Sequence, residues 1–431
     1  MAVPLMALPA VVLSVRGGAN ICLIFLFLYS LGYLSNRRRR MLHVAEFRTF
    51  WPVHWAMASM VCVIFIGQIL RGTLATSFMD TPLRLALFAP VFWLLLSQSA
   101  ATLQAVQWGA IAGAVVACAK LSLMMPSADT RIALVSFTNV IPYSDIALLM
   151  GVWSFLSLGW SISRQRIANS MRVIGGIAGV ATSILSQSRG GWVALPFFAI
   201  LLLWSFADKV RGLRVRIMLA ALFIVAAGLT VSFNHSVSLR LNAAQSDIEK
   251  FNSSDNKDTS VGIRFQLWRG AWVLFKEHPL LGVGRENFSS ALADLAKRKV
   301  ISTEAAQFSH THNEVLFNVA TLGMFGLVSI LSIYFLPVIA FVRELKNCRD
   351  QQLRTGAAMG LALCIGFPIF GLTETMFVVS MTTAFYTLSL AILLAYVVVR
   401  RRELTSTISI DQTGRASAGL GAESTRSLLS R

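Results

Sequence analysis

Apolar runs long enough to cross a membrane recur along almost the whole of this 431-residue chain. A helix needs roughly 17–25 such residues to span a hydrocarbon core about 30 Å thick, and in lipid it satisfies its own backbone hydrogen bonds. The chain is 55% hydrophobic and 13% charged, which is about half the charged fraction of a soluble domain. The sequence therefore predicts an all-α, polytopic membrane protein.

We predict about twelve transmembrane helices and one large extracytoplasmic loop. Helices 1–9 fall within residues 1–234, a loop with short helices covers 235–313, helices 10–12 fall within 314–399, and residues 400–431 form a disordered tail. The apolar N-terminus lacks the basic region and the clear cleavage site of a signal peptide, so we interpret it as the first span. The predicted spans are 2–15, 19–35, 54–70, 82–98, 101–124, 138–162, 170–187, 190–207, 216–234, 314–341, 353–373 and 376–399.

The orientation follows from clusters of arginine and lysine that lie on one side under this count. They occur at 37–40, 164–166, 209–216, 343–349 and 400–402. Basic loops stay in the cytoplasm, so both termini are expected there and the large loop is expected on the outer side. The net charge of +18 is divided among these clusters and forms no single stripe. The charge therefore does not indicate a nucleic-acid partner.

The large loop is predicted to begin with a mobile polar stretch at 242–260 and to contain two short helices. Apolar residues between 263 and 274 recur at helical spacing on one face. Trp268 and Trp272 suit the headgroup level, so we expect this first helix to lie on the membrane and to end near Pro279. The second short helix is predicted at 287–297.

His312 is the leading candidate for a catalytic residue. It lies in the polar segment Ser309–Glu314, directly before a predicted span. An unperturbed imidazole titrates near neutral pH and is the commonest general base. Two alternatives are open: His312 caps the start of the span, or it holds a metal together with His310, although no third ligand lies nearby in sequence.

Three arginines are candidates for binding an anion. Arg189 lies between two closely spaced predicted spans, and Arg264 and Arg285 lie in the large loop. An arginine at such a place is costly unless it snorkels, pairs or meets an anion. Guanidinium groups match phosphate oxygens bidentately, so the set predicts a diphosphate site. The alternative for each is a side chain that faces solvent or lipid headgroups.

Two carboxylates near the outer ends of spans are less easily interpreted. Asp145 and Glu374 could orient an arginine or form structural ion pairs, and we expect the structural role. The loop has neither an Asp-x-Asp pair nor a dense carboxylate cluster of the kind that holds Mg²⁺ or Mn²⁺. We therefore expect no metal and no cofactor.

Four short motifs lie in the second half of the chain. They are Ser188-Arg189-Gly190-Gly191-Trp192, Arg264 followed by Trp268, His278-Pro279-Leu280-Leu281-Gly282-Val283-Gly284 followed by Phe288, and His312-Asn313-Glu314 followed by Gly323 and Gly326. Together they resemble the O-antigen ligase/polymerase superfamily, over about residues 170–340 at the level of motifs and over the whole chain in topology. The resemblance implies a helical bundle in the bacterial inner membrane, with one large periplasmic loop and an active site that faces the periplasm.

The resemblance also implies residue roles. His312 matches the essential histidine of the superfamily, with His310 as the alternative, and Arg189 and Arg264 match its essential arginines. Arg285 stands where many relatives have other residues. The expected site is therefore His312 as base, Arg189, Arg264 and Arg285 around the donor diphosphate, and Asn313, Glu314 and His310 as supporting residues.

Members of the superfamily transfer glycans from undecaprenyl diphosphate, and this chain looks most like a ligase that attaches the glycan to a hydroxyl of lipid A-core. The reaction implied is metal-independent and inverts the anomeric centre. Alternatives within the superfamily are an O-antigen polymerase and a protein O-oligosaccharyltransferase. From other classes, we consider a transporter of lipid-linked glycans and a non-catalytic lipid-binding scaffold; unlike many transporters, the two halves of the chain do not match.

Overall fold

The computed structural model describes residues 1–124, 138–160, 165–186, 188, 190–206 and 258–429, with side chains up to Ser406. In these residues the chain forms helices and no strand, so the predicted all-α class is confirmed. The α-helices are α1 Ala2–Val12, α2 Gly18–Ser35, α3 Arg37–Met41, α4 Val44–Thr49, α5 Trp51–Arg71, α6 Asp80–Ala86, α7 Phe88–Leu95, α8 Ala100–Leu103, α9 Val106–Met124, α10 Val140–Leu156, α11 Arg166–Leu185, α12 Leu195–Ser205, α13 Ser260–Glu277, α14 Phe288–Lys297, α15 Glu314–Asn347, α16 Gln351–Phe370 and α17 Ser380–Leu429. Short 3₁₀ turns lie at Thr76–Met79, Ser157–Trp160, Gly190–Ala194 and Ala305–Gln307.

Nine helical segments in the described part of the chain are long and apolar enough to span a membrane, which confirms the polytopic membrane protein. Two shorter apolar helices, Ala2–Val12 and Gly190–Ser205, coincide with further predicted spans. The predicted span at 216–234 lies outside the described residues. The nine segments are Gly18–Ser35, Trp51–Arg71, Thr76–Leu95, Ala100–Leu123, Val140–Trp160, Arg166–Leu185, Glu314–Lys346, Gln351–Phe370 and Ser380–Ser406.

The last helix extends beyond its apolar part. Its first portion, Ser380–Ser406, is almost entirely buried by its neighbours. The helix then continues to Leu429, through much of the segment for which the sequence analysis expects disorder. Residues 400–429 contain no proline, so nothing in the backbone chemistry ends the helix at the basic cluster.

The centre of the bundle consists of α10, α16 and the first part of α17, whose side chains are mostly buried. Some of their polar groups bond across helices: the Trp153 indole donates to the carbonyl of Met359 at 2.8 Å. The outer helices instead expose apolar side chains such as Ile21, Phe25 and Leu28. A surface of this kind is stable only against lipid, which agrees with the assignment of membrane spans.

Ion pairs collect at one end of the bundle. Arg402 pairs with Glu46 at 2.6 Å, Arg400 pairs with Asp350 at 3.0 Å, and Arg401 pairs with Glu344. These pairs bring the basic clusters near 343–349 and 400–402 to the same end, as the orientation argument requires. Glu344 lies near the C-terminal end of α15, whereas His312 precedes the N-terminal end of the same helix.

The two predicted helices of the large loop are present as α13 and α14. Leu267 and Leu274 of α13 are buried against Phe288 and Leu292 of α14, and Phe317 of α15 completes the same apolar cluster. The spacing of apolar residues along α13 therefore predicted the face that is buried. This cluster fixes both loop helices to the first turns of α15.

Helix α15 is broken at Gly323, where φ is 62° and ψ is −147°. The segment Pro279–Gly284 pairs with this break. The amides of Val283 and Gly284 donate to the carbonyls of Ala320 and Thr321, and the amide of Met324 donates to the carbonyl of Pro279, at 2.8–3.1 Å. Backbone groups freed by a break in a membrane helix must find partners inside the protein. The loop segment Pro279–Gly284 supplies these partners here.

Replacing Gly323 with alanine is expected to destabilise the protein. A methyl group there would lie closer than 3.0 Å to backbone atoms of Leu280, and φ is in the range that L-residues avoid. Strain of this kind costs about 1–3 kcal/mol before any clash is added. Thermal unfolding in detergent should show a clear drop in midpoint for Gly323→Ala. Gly32→Ala is the control, because nothing lies within 4 Å of Gly32, and its midpoint should stay equal or rise.

Candidate active site

His312 lies in the turn that precedes α15 and has a positive φ of 50°. The turn is held in place by the hydroxyl of Thr311, which donates to the carbonyl of Asn313 at 2.7 Å, and by the indole of Trp268, which donates to the carbonyl of Thr311 at 3.1 Å. A left-handed backbone is uncommon outside glycine and is often found at functional sites. Trp268 thus links α13 to the histidine.

His312 does not cap α15. The cap is Asn313, whose side-chain oxygen accepts a hydrogen bond from the amide of Leu316 at 3.0 Å. The imidazole of His312 is therefore free to bond elsewhere, and the interpretation of His312 as a capping residue is wrong.

Glu374 is the partner of His312. It lies in the turn between α16 and α17, and its side chain is 3% exposed. One carboxylate oxygen is 3.3 Å from Nδ1 of His312, and the other is 3.7 Å from Nδ1 of His310. The side chain of Asn139 and the amide of Thr375 also donate to this carboxylate, at 3.2 and 2.9 Å. The carboxylate is thus fixed from four directions.

The charge states follow from this arrangement. Burial alone would raise the pKa of Glu374, but the hydrogen bond to His312 and the charges of both histidines outweigh it and lower that pKa. Burial lowers the pKa of His310, against the opposing charge of Glu374. At neutral pH, Glu374 is therefore ionised and His310 is neutral. In the neutral form of His312, an ionised carboxylate at Nδ1 favours the tautomer with the proton on that nitrogen, in which Nε2 is the acceptor.

Arg264 lies on α13, half-buried, near this cluster. Burial lowers the pKa of its guanidinium, while the charge of Glu374 opposes the shift, so the two groups are close enough to interact. Within the described residues, no hydrogen bond or ion pair occupies its guanidinium. The charge of Glu374 thus links Arg264 to the histidine–carboxylate cluster, and the guanidinium donors of Arg264 have no partner among the described residues. Its predicted role at the donor diphosphate stays a prediction.

Arg285 makes different contacts. It is buried, its guanidinium donates to the side-chain oxygen of Asn318 at 3.0 Å, and it lies over the ring of Phe317. Burial lowers its pKa to about 10, against the opposing charge of Glu314. The guanidinium also lies 3.2 Å from the sulfur of Met60, so its hydrogen bonds go to α5 and α15 and not to either histidine. The structure shows Arg285 in contacts inside the protein. Its predicted role in holding the donor diphosphate stays a prediction.

Arg189 lies outside the described residues, but its glycine neighbours are described. A side chain on Gly190 would collide with the hydroxyl of Thr373, and one on Gly191 would lie 2.5 Å from a carboxylate oxygen of Asp145. The two glycines therefore allow this segment to pack tightly beside the turn that carries Glu374. Asp145 is fully buried, and neither of its oxygens has a hydrogen-bond partner among the described residues.

His310, His312 and Glu374 could together hold a metal ion, because one ligand atom of each lies within 4.8 Å of the others. The sequence analysis found no third ligand because Glu374 follows His312 by 62 residues. The same atoms are also explained without a metal, since the carboxylate already accepts hydrogen bonds from its neighbours. The expectation of a metal-independent site stays a prediction.

These features define the class of protein: a polytopic helical membrane protein with a histidine–carboxylate site at one end of its bundle. Residues 174–331 match the family model described as O-antigen ligase, which confirms the resemblance seen in the motifs. An O-antigen ligase of Escherichia coli (strain K12) is 24% identical over 181 residues, 42% of each chain. An uncharacterized protein of Haemophilus influenzae (strain ATCC 51907 / DSM 11121 / KW20 / Rd) is 27% identical over 219 residues, 51% of this chain and 54% of that protein.

The chain thus aligns with about half the length of these curated relatives. Together, the family match and the O-antigen ligase relative support a place in the O-antigen ligase/polymerase superfamily. All of the residues from Arg264 to Glu314 discussed above lie inside the matched segment, whereas Glu374 lies beyond it.

The pairing of Glu374 predicts a pH dependence of stability. Its pKa is lower in the folded protein than its ordinary value of 4.5, so its stabilising effect is present above about pH 4.5 and is lost as pH falls through the folded pKa. With a chelator present to exclude metal binding, the difference in unfolding midpoint between the wild type and Glu374→Gln should therefore shrink over the interval that begins near pH 4.5 and extends downward through the folded pKa. A difference that widens over this interval would contradict the pairing.

Proposed function

We propose that this protein is an O-antigen ligase, which transfers a glycan from undecaprenyl diphosphate to a hydroxyl of lipid A-core at the periplasmic face of the bacterial inner membrane. One observation carries the proposal. Nδ1 of His312 is held by the buried carboxylate of Glu374, whose charge also acts on Arg264, an arginine with no partner among the described residues; this group lies at the end of α15 opposite the basic clusters at 343–349 and 400–402. The family match indicates which chemistry such a site performs.

His312 is the proposed general base. Glu374 accepts the Nδ1 proton, so Nε2 is free to remove the proton of the acceptor hydroxyl as that oxygen attacks. The new bond joins the acceptor oxygen to the anomeric carbon, and the bond from that carbon to the diphosphate oxygen breaks. The proton remains on His312 until solvent removes it. A positioned histidine base contributes about 10²–10⁴-fold to such a reaction.

The diphosphate leaves as an anion, so guanidinium groups at its oxygens lower the barrier without a general acid. We propose Arg264 as one of these arginines, because the charge of Glu374 acts on its guanidinium and its donors have no partner among the described residues. Arg189 is the second arginine that we propose for this role, by resemblance. Attack from the side opposite the diphosphate inverts the anomeric centre, and the chemistry of these residues requires no metal.

The position of the site suits a donor that is itself a lipid. The polyprenyl tail would lie in the hydrocarbon region, against the apolar outer helices. The sugar and diphosphate would then project to the end of the bundle where the histidines lie. Residues of α13 and α15 then meet the donor at the membrane surface. A transporter would instead be expected to place its charged residues near the midplane.

His312→Ala is expected to lower glycan transfer at least about 10²-fold, because the base is removed. The measurement is transfer from a polyprenyl diphosphate donor in proteoliposomes that contain purified protein, with chelator present. His278→Ala is the matched control, since His278 is exposed at the end of α13, and it should retain activity. If His310→Ala abolishes transfer while His312→Ala does not, His310 is the base. Uptake without transfer would support a transporter.

The acceptor is tested in cells of the source bacterium that lack the protein. Lipopolysaccharide on a gel should consist of bare lipid A-core if the protein is a ligase, because no O-antigen is attached. Core capped with a single repeat unit would identify a polymerase instead. A normal ladder together with loss of protein glycosylation would identify a protein O-oligosaccharyltransferase.

A further inference from the structure

Glu374 lies in a turn without regular secondary structure, between the end of α16 at Phe370 and the start of α17 at Ser380. Backbone bonds tie its first part to α16, since the amides of Thr373 and Glu374 both donate to the carbonyl of Phe370 at 3.1 Å. Two consecutive residues at the start of α15, Asn313 and Glu314, hold the rest of the turn. These residues follow His312 directly in the chain.

Glu314 holds both ends of this turn. Its backbone amide donates to the carbonyl of Gly371 at 2.7 Å. Its carboxylate accepts a hydrogen bond from the amide of Phe377 at 2.8 Å. Between these points, the side chain of Asn313 donates to the carbonyl of Leu372 at 3.3 Å. Glu374 lies between the two anchored ends.

We propose that Glu314 is a positioning residue: its carboxylate fixes the turn 371–377 so that Glu374 meets Nδ1 of His312. The inference rests on the proposed function, because it takes His312 as the base. Glu314 itself has no contact with His312 among its hydrogen bonds. It acts through Glu374, and its effect on the reaction depends on that residue.

Burying the carboxylate of Glu314 costs free energy, so the hydrogen bonds to its two oxygens are needed to offset that cost. Glu314 is 0% exposed, and an unpaired charge at such a place is strongly destabilising. One oxygen accepts from Phe377, and the other accepts from the side chain of Asn318 at 2.8 Å. Two acceptor oxygens face two donors. Glutamine offers only one acceptor, so it would leave one donor opposed by another donor.

Arg285 belongs to the same arrangement. Its guanidinium donates to the oxygen of Asn318, and the amide nitrogen of Asn318 donates to Glu314. The buried arginine thereby supplies a positive charge behind the buried carboxylate and fixes the orientation of the Asn318 amide. This explains why Arg285 is directed into the protein. Its contribution to the reaction would be made through Glu314 and Glu374.

The first test needs no catalysis. Hydrogen–deuterium exchange of the peptide that contains residues 372–377 should become about tenfold faster or more in Glu314→Gln, because the amide of Phe377 loses a hydrogen bond to a charged group. Glu344→Gln is the control: the same substitution in the same helix, near its other end, in a side chain that pairs with Arg401. Exchange of this peptide should be unchanged in the control. Unchanged exchange in Glu314→Gln would overturn the proposal.

The second test measures how the two carboxylates depend on each other. Glu314→Gln should lower kcat about 10–100-fold with KM within about twofold, because a misplaced base slows the chemical step. If Glu314 acts through Glu374, the double variant Glu314→Gln/Glu374→Gln should be no slower than Glu374→Gln alone. Independent effects, which multiply in the double variant, would show that Glu314 acts by another route and would overturn the proposal.

The two tests separate this inference from the proposed function. If exchange becomes faster in Glu314→Gln but the wild type shows no glycan transfer, the turn is held as described and the activity is assigned wrongly. Full transfer by Glu314→Gln with faster exchange would leave the proposed function intact and overturn the positioning role.

Discussion

The hydrogen bond between Glu374 and His312 is the interaction on which the site depends. A carboxylate inside a helical membrane bundle is costly unless it is paired and bonded. Here the imidazole of His312, the side-chain amide of Asn139 and the backbone N–H of Thr375 lie at hydrogen-bond distance from its oxygens. The same bond decides which nitrogen of His312 carries the proton. The compensation that makes burial of Glu374 tolerable therefore also prepares the histidine to accept a proton.

The start of α15 connects every part of this arrangement. His312 precedes it, Asn313 caps it, and Glu314 holds the turn that carries Glu374. Nine residues after Glu314, the helix is broken at Gly323, and backbone groups around this break form hydrogen bonds with the loop segment Pro279–Gly284. The unpaired N–H and C=O groups at a helix start and at a break need partners inside the protein. Those partners come from distant segments, so the position of the site is set by backbone hydrogen bonding.

Much of this could be predicted from the sequence, since the signals are local. Apolar runs gave the membrane spans, and the spacing of residues such as Leu267 and Leu274 gave the buried face of α13. His312 was evident as a titratable side chain at the start of a span. The role of Glu374 was not evident: an acidic residue at the end of a span was the only signal, and it did not indicate a histidine 62 residues away as its partner. Arg285 was predicted to bind a ligand because it is an arginine in the large loop, but the structure buries it.

The sequence by itself determined that the chain is a polytopic helical membrane protein, because hydropathy and charge are properties of single segments. Only the tertiary structure decided which charged groups are partners. It placed Arg264 within reach of the charge of Glu374, Arg285 against Asn318, and Glu374 against His312. Charge compensation is a property of groups that meet in space, and the helices that carry these groups are far apart along the chain.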